Sequence, residues 1–131
     1  MKKFDLTILY VEDDEDIREE LEFFLSIRCK ELIVAENGKE GLEKYRQFRP
    51  DIIITDVMMP VMDGLTMVKI LKDEFGEIPI IVMSAFNTSD IKMQNLKALN
   101  VKTIVSKPVK SNEIIEAIEK ELKLESELPH G

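Results

Sequence analysis

The segment Asp51-Ile52-Ile53-Ile54-Thr55 is apolar at consecutive rather than alternate positions. A strand with one face in water alternates, because successive side chains point to opposite faces. A strand that does not alternate is covered on both faces, as in a parallel sheet whose crossover helices lie on either side. The rest of the chain repeats the theme. Residues 6–11, 32–35, 79–83 and 101–105 read as further short strands. Segments with helical periodicity separate them. Residues 15–29 place Ile17, Leu21, Phe24 and Leu25 on one face, and 38–48 show Leu42 and Tyr45 before Pro50 ends the helix. Residues 64–75 show Val68, Leu71 and Phe75, 89–99 show Ile91 and Leu99, and 111–125 show Ile114, Ile118 and Leu122. Five strand–helix units predict a doubly wound α/β sheet with right-handed crossovers. A chain of 131 residues suits one such domain.

Charge narrows the function. With 18 basic and 26 acidic side chains the formal net charge is −8, which argues against nucleic acid as a direct partner and against an anionic membrane surface. The longest apolar runs, Val57 to Met62 and Ile78 to Met83, fall far short of the ~20 residues that a membrane helix needs. The start, Met1-Lys2-Lys3-Phe4-Asp5, has no apolar core of a signal peptide, so the expected location is the cytoplasm, in keeping with the single cysteine, Cys29. One cysteine and one histidine, His130, exclude zinc and haem sites and Ser-His-Asp or Cys-His triads.

In open parallel sheets, ligands bind beyond the carboxyl ends of the strands, at a switch in strand order. Here the first strand runs into Glu12-Asp13-Asp14-Glu15-Asp16, the third into Asp56, the fourth into Ser84 and the fifth into Ser106-Lys107-Pro108. If the order is 2-1-3-4-5, the acids of strands one and three meet at the switch. Two such charges at 4 Å repel by roughly 4 kcal/mol at an effective dielectric near 20. A hard cation relieves that repulsion, and oxygen-only ligands suit magnesium or manganese. Lys107 adds a cation for a bound anion and Ser84 a hydroxyl. Together these groups suit a phosphoryl group, with a carboxylate able to act as nucleophile.

Plainer readings exist for each residue. Asp14, Glu15 and Asp16 open a helix, where acids complement the macrodipole. Asp63-Gly64 reads as a turn and helix start. Glu12, Asp13 and Asp56, taken singly, are ordinary strand-end acids, and Lys107-Pro108 could be a plain loop. The acids of the last helix read as a solvated face. Placement on a common rim is what raises Glu12, Asp13, Asp56, Ser84 and Lys107 above these readings.

The chain also resembles a known family, the receiver domains of two-component response regulators, over about residues 5–124. The resemblance rests on Ile8-Leu9-Tyr10-Val11-Glu12-Asp13-Asp14 with Ile17-Arg18, on Pro50-Asp51-Ile52-Ile53-Ile54-Thr55-Asp56-Val57-Met58-Met59-Pro60-Val61-Met62-Asp63-Gly64, on Pro79-Ile80-Ile81-Val82-Met83-Ser84-Ala85, and on Ser106-Lys107-Pro108. It implies a flavodoxin-like (βα)5 fold, with a five-stranded parallel sheet in the order 2-1-3-4-5 and helices on both faces. It implies Asp56 as phosphoacceptor. Glu12, Asp13, Asp56 and the Met58 carbonyl would hold magnesium (or manganese), and Ser84 and Lys107 would contact the phosphoryl group. It also implies a cis peptide before Pro108. Where the family commonly has an inward-turning aromatic, this chain has Ile104. Signal transfer is therefore expected through the loop Ser84-Ala85-Phe86-Asn87 and onto the face of the fourth helix, fifth strand and fifth helix.

The expected function is a phosphorylation-activated switch. A histidine kinase or histidine phosphotransfer protein donates to Asp56, and a downstream protein or fused effector domain reads the result. The chain is expected to be a signalling phosphoacceptor rather than an enzyme. Residues 1–125 are expected to form the receiver domain, and 126–131 a tail or linker stub. Two rival classes are a small magnesium-dependent phosphatase and a phosphorylation-independent interaction module. The phosphatase family of haloacid-dehalogenase type wants a second acid two residues after the nucleophile, and Asp56-Val57-Met58 lacks it.

Overall fold

Strands and helices alternate along the chain in the computed structural model, which describes residues 3–85 and 88–124. The strands are β1 (Phe4–Val11), β2 (Cys29–Ala35), β3 (Ile52–Asp56), β4 (Ile80–Ser84) and β5 (Thr103–Ser106). The helices are α1 (Glu15–Ser26), α2 (Gly38–Phe48), α3 (Gly64–Phe75), α4 (Asp90–Ala98) and α5 (Ser111–Leu122). All strand pairs are parallel, in the order β2-β1-β3-β4-β5.

Two apolar layers sandwich the sheet, which is why β3 does not alternate. Leu9, Val11, Ile53 and Val82 pack on one side with Leu42 and Tyr45 of α2, Met67, Val68 and Leu71 of α3, and Leu96 of α4. Ile8, Tyr10, Ile52, Ile54, Ile81 and Met83 pack on the other with Leu21 and Leu25 of α1 and Ile114, Ala117 and Ile118 of α5. Both odd and even positions of β1 and β3 thus find helix partners, and both strands are buried through their last four or five residues.

Polar side chains start the helices. Asp14 Oδ1 accepts from the Ile17 amide (3.1 Å), Asn37 Oδ1 from Glu40 (2.9 Å), Asp63 Oδ1 from Thr66 (2.8 Å) and Ser89 Oγ from Lys92 (3.2 Å). Each satisfies an amide that the helix leaves without a partner.

Several boundaries differ from the sequence reading. α1 ends at Ser26 rather than near residue 29, because Cys29 pairs with Phe4 as β2 begins, and burying both residues in the sheet competes with another helical turn. Val101 does not join β5; its amide donates to the Leu96 carbonyl (3.0 Å) and closes off α4. Ile17 and Ile91 leave the core faces expected of them, at 43% and 71% exposure. Both lie in first turns, and a helix running back against parallel strands starts where the sheet beneath it stops. The tail 126–131 and Phe86-Asn87 lie outside the described residues.

Asp63 carries a checkable consequence. Burial pushes its carboxyl up, but the Thr66 amide and hydroxyl and the Lys92 ammonium outweigh burial and hold it below the usual range. Its contribution is therefore present above the ordinary aspartate value and is lost as pH falls through the lowered one. Asp63→Ala is expected to lose about 1 kcal/mol at neutral pH, and Asp63→Asn less, since asparagine also caps. Urea melts repeated below about pH 4 should show the gap between wild type and Asp63→Ala closing.

Candidate phosphoacceptor site

β1 and β3 are neighbours at the point where the strand order reverses, and both end at one rim. Val11 pairs with Thr55, so Glu12 and Asp13 follow the end of β1 beside Asp56 at the end of β3. The carboxylates of Glu12, Asp13 and Asp56 offer oxygens that all lie within 4.8 Å of one another. Glu12 is fully buried and Asp56 is 5% exposed, whereas Asp13 is exposed.

Lys107 spans this group from the end of β5. Its ammonium donates to Glu12 Oε1 at 3.0 Å and to Asp56 Oδ2. The other oxygen of each carboxylate takes a backbone amide. Val57 N–H donates to Asp56 Oδ1 (2.7 Å) and Asp14 N–H to Glu12 Oε2 (3.3 Å). Burial pushes the Glu12 carboxyl up to about 7, helped by the neighbouring Asp56 charge and opposed by Lys107. Burial works to lower the Lys107 ammonium, but its hydrogen bonds to Asp56 and Glu12 win and hold it raised. One ammonium thus bonds two of three clustered carboxylates, a deficit that a bound cation can make good.

The remaining sequence candidates fall around this cluster. Ser84 ends β4 beside Asp56, since Asp56 pairs with Met83, and its carbonyl accepts from the Lys107 amide (2.8 Å). Its side chain is buried at the rim. Met58 stands two residues beyond Asp56 with its side chain exposed. The Lys107–Pro108 peptide is cis. Ala85, Lys107 and Pro108 line a groove of about 1070 Å³ with Ile17, Leu21 and Phe24 of α1. Ile104 pairs with Val82 and packs, partly buried, against the α2–α3–α4 layer. Phe86 lies outside the described residues.

Two local features hold the β3–α3 turn. The Gly64 amide donates to the Val57 carbonyl (2.7 Å), and a Cβ on Gly64 would stand 2.0 Å from the Asp56 carbonyl oxygen. Only glycine lets α3 start this close to Asp56. Val61 adopts φ of +68°, a left-handed conformation that a β-branched residue rarely takes. The sequence carried a signal for Gly64 in the Asp63-Gly64 pair, but none that required a turn residue at Val61. Arg18 was visible only as part of a motif. Its guanidinium donates to the carbonyl oxygens of Glu12 (2.9 Å) and Asp13 (3.4 Å).

A family model described as the response regulator receiver domain matches residues 8–119. The chain is 33% identical over 116 residues to the chemotaxis protein CheY of Bacillus subtilis, covering 88% of this chain and 96% of that one. It is 33% identical over 117 residues to response regulator GtcR of Aneurinibacillus migulanus, covering 89% of this chain and 48% of that protein, so it spans about half of that relative's length. Among solved structures, chemotaxis protein CheY4 of Vibrio cholerae superposes with a TM-score of 0.80 at 30% identity, covering 88% of this chain and 98% of that one. The family match agrees with the sheet order 2-1-3-4-5 and with the acid cluster at its switch point, and with them it marks a phosphorylation-activated signalling switch. The chain belongs to the response regulator receiver domain family.

The strain at Val61 can be measured. Left-handed backbone costs an L-residue roughly 1–2 kcal/mol, and asparagine tolerates it best after glycine. Val61 is exposed, so replacing it removes no core packing. Val61→Asn is expected to raise unfolding stability by about 1 kcal/mol, read from denaturant midpoints; a loss would show that the Val61 side chain contributes packing that outweighs its strain.

Proposed function

We propose that Asp56 accepts a phosphoryl group from a histidine kinase or histidine phosphotransfer protein, and that Glu12, Asp13, Asp56 and the Met58 carbonyl hold the divalent cation, magnesium or manganese, that the reaction uses. The observation that carries this reading is the convergence of three carboxylates within 4.8 Å, two of them bound by the Lys107 ammonium. All the side-chain donors are oxygens, the set that hard cations prefer. When bound, the cation neutralises charge on the phosphoryl oxygens.

The chain's own groups do the rest. An oxygen of the Asp56 carboxylate attacks phosphorus, a new P–O bond forms as the donor's P–N bond breaks, and the electron pair leaves with the imidazole. The Val57 amide fixes the carboxylate by holding Oδ1. Lys107, already on Oδ2, stays beside the arriving group and pairs with its charge. Ser84 supplies a hydroxyl at the adjacent strand end. The product is a state of the protein, so we assign a phosphoacceptor with self-catalysed gain and loss of phosphate rather than a metabolic enzyme.

The groove beside Lys107 supports a protein donor. A donor histidine that reaches Asp56 must bring its surface over this rim, where α1 presents Ile17 to solvent and lines the groove with Leu21 and Phe24. Residues 1–125 are proposed to be the receiver unit, with 126–131 leading out of it and a downstream protein or effector domain reading the switch. The proposed setting is the cytoplasm, where such kinases present their phosphohistidine; among the described residues no helix is long and apolar enough to cross a membrane.

Incubation with acetyl phosphate or phosphoramidate plus magnesium should add one phosphoryl group by intact mass. Asp56→Asn should add none, and undiminished labelling of that variant would overturn the assignment. Magnesium alone should raise the melting temperature, by mass action on the native state. Asp13→Ala should abolish that rise.

A further inference from the structure

Arg18 touches the acidic turn without touching any of its three carboxylates. It sits in the first turn of α1, and its side chain is 12% exposed. One guanidinium nitrogen, Nη1, donates to the carbonyl oxygens of Glu12 (2.9 Å) and Asp13 (3.4 Å). The other, Nη2, lies 3.5 Å from Oε1 of Glu36, an exposed residue just past the end of β2. The two carbonyls belong to the residues that follow the last paired position of β1, Val11, so no ladder satisfies them. The planar fork of arginine suits the task, because it can reach two acceptors and an ion-pair partner at once.

We propose that Arg18 is a positioning residue for the cation site. By holding two successive carbonyls it fixes the backbone from which the Glu12 and Asp13 side chains leave, and so keeps both carboxylates turned toward Asp56. Three other contacts pin the same turn. The Glu12 amide donates to the Ala35 carbonyl (3.0 Å), the Asp14 amide to Glu12 Oε2, and Asp14 caps α1. One of them, the Asp14 amide, holds the N–H side of the peptide between Asp13 and Asp14, but none holds its other side, the Asp13 carbonyl. Arg18 does, and Asp13 is the exposed member of the three. The proposal rests on the reading of Glu12, Asp13 and Asp56 as cation ligands.

The sign of the effect separates this role from the alternative. A guanidinium beside a cation site repels the cation through space, so if charge alone mattered, removing Arg18 would tighten magnesium binding. If the clamp matters, removing it loosens the ligands and weakens binding. Partners behind metal ligands are worth roughly 10–100-fold in affinity when lost; with two carbonyl contacts at stake, we expect about tenfold.

The test is calorimetric titration of magnesium chloride, at constant ionic strength, into wild type, Arg18→Met, Arg18→Lys, Glu36→Gln and Asp13→Asn. A melting temperature in EDTA accompanies each. The expected result is weaker binding in Arg18→Met with a nearly unchanged EDTA melting temperature. Partial recovery is expected in Arg18→Lys, and wild-type affinity in Glu36→Gln, which leaves the carbonyl contacts intact. Equal or tighter binding in Arg18→Met, with wild type binding and Asp13→Asn failing to bind, overturns the positioning role and leaves the cation site standing. Absence of binding by wild type overturns the cation site itself and this role with it. If Arg18→Met does not fold, Arg18→Lys decides: charge is kept and the fork is lost, so wild-type affinity there overturns the clamp and weakened affinity supports it.

Discussion

Because helices cover both faces of the sheet, no residue within β1, β3 or β4 can carry a charge into the core without a partner. Ile8, Leu9, Tyr10 and Val11 are all fully buried, and so are Ile52, Ile53 and Ile54. Burying an unpaired ion in such surroundings is prohibitive. Polar chemistry is therefore displaced to the strand ends, and parallel strands all end on the same side. The switch in strand order between β1 and β3 then opens the one gap in that rim where two strand ends meet without a crossover helix between them. The location of the site thus follows from the burial of the strands.

What the rim does with its charges follows from their number. Glu12 is buried and Asp56 nearly so, and both rely on Lys107 and on single backbone amides. Desolvation pushes Glu12 toward its protonated form, and the neighbouring Asp56 adds to that push. The arrangement is held together by the Lys107 ammonium, which Glu12 and Asp56 share, so any charge that arrives at the rim shifts its balance. A site that is strained in charge but fixed in backbone can respond to an incoming group without rebuilding its frame. Gly64 against the Asp56 carbonyl and Arg18 against the carbonyls of Glu12 and Asp13 are the parts that fix the frame.

The layers and strand ends were legible in the sequence for the same reason that they form. Consecutive isoleucines in β3 report two-sided burial, and an acid directly after such a run can only be at a rim. Asp14 and Asp63 carry the mark of a helix start in the sequence and do cap α1 and α3. Less legible were features decided by contacts distant in sequence. The end of α1 depends on Phe4 pairing with Cys29. Ile17 and Ile91 obey the helical period but lie beyond the edge of the sheet, and periodicity carries no information about where the sheet stops. Arg18 bonds to backbone carbonyls, which every residue possesses, so no spacing of side chains could announce it. The left-handed conformation of Val61 is set by the turn between β3 and α3 and runs against the preference of valine itself.

Ile104 shows how the same frame bears on signalling. It has no polar group, and it packs against the layer that includes Leu96, the single buried residue of α4. With Leu96 fully buried and Met93 partly so, α4 has few apolar anchors and depends also on polar ties. One of these is the ion pair between Lys92 and Asp63, at 3.3 Å. Asp63 immediately precedes Gly64, whose amide is bonded to Val57 and whose α-carbon abuts the Asp56 carbonyl. Asp56 and α4 are therefore joined by one short turn and one ion pair. Neither contact involves Ile104: one is made by the backbone that Gly64 lets approach, and the other is a charge pair at the start of α3.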